Sequence, residues 1–339
     1  MIAILYDKRN GKIIRGERMS SSRMRNLTIY NFAPTGHDTL HLRLKFYRMD
    51  NIDMSVRSID EIEYHPPQTS HQRLGLILHG GIGDHAIATG LIENLKKLHG
   101  RISIDAFCYK SPELLEYLPT ISKVIQLQKQ QKSSRTAKKL SKNKYDAVYD
   151  IGLVGARYED GKLAYTKYPK LYENMNSAEI LQEIHPQHIL KIRGESIGLR
   201  HCRIDEIDIP HEKQNKKQNK LTLSGWSENT NKMIEENKWR DIVRETKIPV
   251  TQLGTSRSHQ IQRTKDKRGI GIQDVINEIA SAKLHLDINN GLVHVARAVG
   301  TRSIVLFHDD NQQVWGYHEN QNIQYQNTIN IKIPQEIFQ

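Results

Sequence analysis

The stretch Leu284–Phe307, LHLDINNGLVHVARAVGTRSIVLF, decides the fold of this chain. It opens on apolar positions, breaks at Asn289, Asn290 and Gly291, resumes with helical spacing at Leu292, Val295, Ala296 and Val299, and closes on the apolar run Ser303–Phe307. That order predicts a strand, a turn, a helix and a second buried strand, which is one βαβ unit of an α/β protein. The helix begins at the turn, so its first backbone N–H groups lack helical partners. With short amides and a glycine beside them they form a site for an anion such as a pyrophosphate. His294 lies one turn further on, in reach of the same ligand.

A second unit of this kind lies upstream. Leu74–Leu78 reads as a buried strand, the run from His79 to Asp84 as a glycine-rich turn, and Ile87, Leu91, Leu95 and Leu98 as one stripe of a helix. Two chemistries fit the turn. Gly81, Gly83 and Ala86 satisfy the dinucleotide fingerprint, with Asp105 near the end of the next strand as a ribose-binding acid, which would make the chain an NAD-dependent oxidoreductase. Alternatively Asp84 is itself the functional anion. In the first turn of a helix it opposes a pyrophosphate docked on the same N–H groups, while those groups stabilise its carboxylate. A fixed carboxylate at the mouth of a cleft suits a base that takes a proton from a hydroxyl.

The order of motifs from about Leu74 to Tyr317 resembles that of the heptosyltransferase-like glycosyltransferases of family 9. Asn289, Asn290, Gly291 and His294 stand where the family has Asp, Ser or Thr, Gly and His, so a negative charge of the family is missing here. Asp84 matches the family's proposed catalytic base. Lys232 and Trp239 keep the spacing between a donor-phosphate lysine and the tryptophan opening the next helix. Tyr145–Gly152 resembles a strand ending in Asp150 on the acceptor side, and Lys265–Gly269 a loop before the key turn. After Phe307 the chain departs from the pattern with His308, Asp309 and Asp310, then matches again at Trp315 and Gly316.

The resemblance implies an α/β protein of the GT-B type, two facing Rossmann-like domains that move a sugar, by inversion and without a metal, from a nucleoside diphosphate to an acceptor hydroxyl. It implies Asp84 and Lys232 as catalytic residues, Asn289, Asn290, Gly291, His294 and Gly254 on the donor nucleotide, and Gly83 and Asp150 on the acceptor. The nucleotide sugar is a co-substrate and no other cofactor is implied. ADP-heptose and a lipopolysaccharide-type acceptor follow from the same resemblance. The loss of the family's aspartate at Asn289 keeps open a nucleotide-binding protein without catalysis.

Composition sets the remaining bounds. The chain has 339 residues, enough for two domains, and 37% hydrophobic residues, enough for their cores. No run approaches the ~18 apolar residues of a membrane span, and Met1–Asp7 is too short and too soon charged for a signal peptide, so a cytoplasmic protein is expected. Cys108 and Cys202 are the only cysteines, which excludes a disulfide framework and a cysteine zinc site. His285 with Asp287, and His308 with Asp309 and Asp310, show no metal-ligand spacing and read as structural. The net charge is +12, and from Lys123 to Lys144 there is no acid at all. That unopposed run, with Lys138 and Lys139 at its centre, suits an anionic glycan or glycolipid acceptor, the inner face of a membrane, or a nucleic acid that the enzyme would modify. It contains no aromatic residue, which counts against stacking on single strands.

Three segments follow from these landmarks. Residues 1–70 form an extension in which Leu40, Leu42, Leu44 and Phe46 alternate with polar neighbours as a half-buried strand, closed by Pro66 and Pro67. Residues 71–210 form the acceptor-side domain, ending in helical periodicity around Ile180 to Leu199. The polar stretch from His211 to Lys220 reads as a linker, and residues 221–339 form the nucleotide-sugar domain with a short, strand-like tail.

Overall fold

The structure, a computed structural model, describes residues 72–128, 133–153, 155–167, 187–199, 201–213, 216–308 and 311–325, positions 331 and 333, and the backbone of three strands before residue 48. Those strands, β1 (Ile2–Asp7), β2 (Ile13–Arg18) and β3 (Leu42–Tyr47), make an antiparallel sheet of order β2-β1-β3 in one of the chain's two compact units. The alternating segment is thus a strand, beginning two residues later than its pattern. Pro66 and Pro67 lie outside the described residues.

The first large sheet starts with β4 (Gln72–Leu78), followed by α1 (Ile82–His99), β5 (Ile102–Cys108), α2 (Pro112–Tyr117), β6 (Ile121–Gln126), α3 (Ser133–Asn143) and β7 (Ala147–Ile151). An antiparallel hairpin, β8 (Ala156–Glu159) and β9 (Lys162–Tyr165), extends its edge, and α4 (Ile189–Ser196) follows. Strand order is β6-β5-β4-β7-β8-β9. The chain steps outward from β4 to β6 and then returns to β4's other side, so the order reverses between β4 and β7. Such a switch point leaves a crevice at the carboxyl ends of the strands. All five residues of β7 are buried, the continuous pattern of a parallel strand covered on both faces.

The second sheet repeats the scheme. It runs through β10 (Gln218–Leu223), α5 (Glu236–Glu245), β11 (Val250–Gln252), β12 (Lys265–Asp266), α6 (Ile272–Ser281), β13 (Ala282–Ile288), α7 (Gly291–Ala298), β14 (Ser303–Phe307), α8 (Gln312–Trp315) and β15 (Gln321–Gln324). Its order, β12-β11-β10-β13-β14-β15, places a second switch point between β10 and β13, and every pair is parallel. Two Rossmann-like halves with matching reversals are the GT-B type expected from the sequence. Leu284–Phe307 supplies β13, α7 and β14. Leu221, Leu284, Leu286, Ile304 and Trp239 are among the buried side chains of this half's core.

Two boundaries differ from the sequence reading. The last three positions of the supposed linker, Gln218 to Lys220, belong to β10, because Gln218 pairs with Ala282 of β13 while its side chain stays exposed. Polar residues suit a strand end that emerges from the core. The helix expected around Ile180 to Leu199 is α4, opened at Ile189 by His188, whose Nδ1 accepts from the Leu190 amide at 3.2 Å. Residues 180–186 lie outside the described part. Among the described residues, no helix is long and apolar enough to cross a membrane.

Candidate functional site

A cavity of 1260 Å³ is lined by residues that follow the carboxyl ends of β4, β5, β10, β11 and β13. Asp84, Gly83, Lys232, Gly254, Asn289, Asn290, Gly291 and His294 all line it. Residues far apart in the sequence converge because both sheets aim their switch points at this space.

Two glycines bring the halves together. A Cβ added at Gly83 would lie 2.7 Å from the Cα of Gly291 and 2.7 Å from Cδ2 of His294. One added at Gly291 would run into Ile82 and come within 3.0 Å of the Gly83 amide nitrogen. Backbone meets backbone here, so only glycine fits at either position. The start of α1 therefore abuts the start of α7, with Asp84 on one side of the contact and His294 on the other.

Asp84 is firmly held. Its Oδ2 accepts from the Gly81 amide at 3.0 Å, and its Oδ1 accepts from Nη2 of Arg193 on α4. The Arg193 side chain is 7% exposed and that of Asp84 25%. Burial pushes the Asp84 carboxyl up, but the Arg193 charge and hydrogen bond, the Gly81 amide and His294 together hold it below its ordinary value. A carboxylate offers about four acceptor positions, so two bonds leave room for a substrate hydroxyl.

His294 is neutral at physiological pH, because complete burial carries it down to about 4. Its Nδ1 lies 2.7 Å from the hydroxyl of Tyr317, which burial raises and keeps protonated. The buried phenol has this nitrogen as its acceptor, which assigns the imidazole proton to Nε2. His294 thus presents a neutral N–H donor. His188 packs its ring on Tyr317 at 4.9 Å and is carried down to about 3, first by burial.

The donor loop is braced by a buried acid that the sequence reading left as merely structural. Asp287 Oδ1 accepts from the amides of Gly225 and Ile288 and from Nδ2 of Asn290, each at 2.8 Å, and Oδ2 lies 3.2 Å from His285 Nε2. Asn290 Oδ1 caps α7 by accepting from the Leu292 amide at 2.8 Å, and its Nδ2 also donates to the Trp226 carbonyl at 3.0 Å. The Asn290 side chain is therefore committed to the protein. What the turn offers an anion is backbone, with Lys232, whose Nζ donates to the Asn289 carbonyl at 3.3 Å, beside it.

Four residues named from the sequence fall elsewhere. Asp105 sits in mid-strand, buried, accepting from Arg73 at 2.8 Å and from the Tyr145 hydroxyl at 2.7 Å, and it does not line the cavity. Asp150 does not line it either, but its Oδ1 lies 2.6 Å from Nε2 of His79, which does. Lys138 and Lys139 are exposed on α3, because that helix turns Ala137 and Leu140 toward the sheet and its lysines outward. Only Ser133, at the start of α3, reaches the cavity. Reversing the charges of Lys138, Lys139 and Lys142 together should therefore leave ADP affinity unchanged and shift stability by under ~0.5 kcal/mol per site. Calorimetry and thermal melting check this, and a several-fold loss of ADP affinity would contradict the placement.

Three groups escaped the sequence reading: Arg193, His79, and the ion pair between Lys110 and Glu228. That pair joins one half to the other across the cavity at 3.0 Å. Both partners are exposed, so it contributes at most ~1 kcal/mol. Among the described residues no group of three His, Cys, Asp or Glu side chains could hold a metal ion. Cys108 and Cys202 are buried, and burial pushes their thiols up to about 11 and about 12, away from reactivity.

The fold is that of the family 9 glycosyltransferases. A glycosyl transferase family 9 protein of Veillonella parvula superposes with a TM-score of 0.54 at 13% identity, over 76% of this chain and 86% of that one. The ADP-heptose lps heptosyltransferase II of E. coli gives 0.51 at 12% identity, over 73% and 89%. E. coli heptosyltransferase WaaC with ADP gives 0.50 at 12% identity, over 72% and 90%. No protein-family model and no curated protein matches the chain.

Proposed function

We propose that this protein is an inverting glycosyltransferase that moves a sugar from a nucleoside diphosphate to a hydroxyl of an anionic glycan or glycolipid. The acceptor oxygen forms a bond to the anomeric carbon and gives its proton to Asp84. The bond from that carbon to the phosphate breaks, and its electron pair leaves with the nucleoside diphosphate. Lys232 and backbone N–H groups at the turn before α7 hold the pyrophosphate, and a cation there favours the transition state because the leaving group gains charge. The Nε2–H of His294 orients the donor. ADP-heptose is the donor we infer, since the E. coli heptosyltransferase II of the same fold is named for it.

The observation that carries this reading is the convergence of a carboxylate, a lysine, a helix start and a neutral histidine on one cavity. Asp105, the residue on which a dinucleotide site depends, is turned instead to Arg73 and Tyr145. Lys232→Ala should weaken ADP binding by ~1–3 kcal/mol, the scale of a lost charged hydrogen bond. Calorimetric titration with ADP, UDP and NAD tests it. Tight NAD binding that depends on Asp105 and ignores Lys232 would overturn the proposal.

A further inference from the structure

A second polar pair meets the cavity and takes no part in the chemistry above. His79 is the first residue beyond β4, and Asp150 lies in β7, where it pairs in register with Ile77. Their 2.6 Å contact spans the crevice at which the strand order of the first sheet reverses. Ligands of open α/β sheets sit in that crevice. The Asp150 side chain is 11% exposed and lies behind, while that of His79 is 36% exposed and lines the cavity. A carboxylate only accepts, so Nε2 of His79 carries the shared proton. In the neutral ring Nδ1 is then the acceptor left for a ligand, and a carboxylate behind an imidazole fixes both its tautomer and its orientation.

Tyr109, the first residue after β5, holds its ring 5.3 Å from that imidazole at a tilt of 32°, and both rings line the cavity. Lys110 follows it at the rim. An acceptor nitrogen and an aromatic surface suit a sugar ring. One of its hydroxyls donates to Nδ1 and its C–H face packs on the aromatic ring.

We propose that His79, Tyr109 and Asp150 form the subsite that holds the acceptor saccharide, with His79 touching a ring hydroxyl and Asp150 acting as its positioning residue. This rests on the sugar-transfer reading, and the test separates the two. The probe is ADP release from ADP-heptose at increasing concentrations of O-deacylated lipopolysaccharide, a soluble anionic glycan. His79→Ala should raise the KM for the glycan by ~10-fold, the loss of one hydrogen bond, with the Kd for ADP unchanged. His79→Gln, whose side-chain oxygen still accepts, should recover part of it, and Tyr109→Ala, which removes the aromatic surface, should raise the same KM. In ¹⁵N spectra of histidine-labelled protein, Asp150→Asn should disturb the His79 tautomer, and adding the glycan to wild type should move the same signal. A glycan KM within twofold of wild type in both His79 variants, or a His79 signal indifferent to the glycan, overturns the subsite while ADP release upholds sugar transfer. Wild-type protein that neither binds ADP nor releases it from ADP-heptose overturns both.

Discussion

Asp84→Asn should keep the fold and the affinity for ADP yet lower transfer by ~10² or more, the usual contribution of a general base. The amide is isosteric and with its one oxygen toward Arg193 keeps that bond, while its NH2 then faces the Gly81 amide and accepts nothing, and it cannot take up the acceptor's proton. The variant also leaves the buried Arg193 guanidinium without a counter-charge. Removing one partner of a buried pair costs about 3–5 kcal/mol, and the retained hydrogen bond should keep the loss at the low end. Folding is therefore checked first by circular dichroism, ADP binding by calorimetry, and turnover last. Near-wild-type turnover in a folded, ADP-binding variant removes Asp84 from the mechanism.

Arg193→Met is expected to reverse the pH dependence that Asp84 gives to stability. In the wild type the folded carboxyl sits below its unfolded value. It therefore adds stability that is complete above the unfolded value and is lost as pH falls through the folded one. Arg193 from α4, the Gly81 amide and His294 from α7 are what hold it down. Without Arg193, burial is no longer offset and drives the carboxyl above its unfolded value. Stability is then fullest at acid pH and falls as pH rises. Denaturant unfolding at about pH 5 and about pH 8 should show wild type at least as stable at the higher pH and the variant losing on the order of 3 kcal/mol there. Arg193→Lys should restore the wild-type sign in part, since it returns the charge without the planar fork. A variant as stable at both values as wild type would mean that the ion pair does not set the charge of Asp84.

How far the sequence reading carried depends on where each signal resided. Leu284–Phe307 was legible because parallel strands are continuous apolar runs and the helix between them repeats at its own period. The placement of Asp84, Gly291 and His294 at helix starts was legible because it is a local property. Arg193 carried no such signal, since it joins Asp84 from a helix 109 residues further along the chain. His79 was read only as the opening of a glycine-rich turn, because its partner Asp150 lies in a strand that is adjacent only once the sheet reverses. Asn290 has a second role that the local logic offered, since an asparagine directly before a helix caps it. Lys138 and Lys139 could likewise have been placed outward, since Ala137 and Leu140 fix which face of α3 is buried. Residues 1–70 gave one strand from alternation, while β1 and β2 lacked a pattern as regular.

The paired glycines at Gly83 and Gly291 make the start of one helix a fulcrum for the other. A rotation about such a point displaces each group in proportion to its distance from it. Asp84 is one residue from the contact and His294 touches it, whereas Lys110 and Glu228 meet elsewhere on the cavity wall. A hinge at that contact would part the entrance while the reacting groups keep their spacing, and the ion pair it would break there is exposed on both sides.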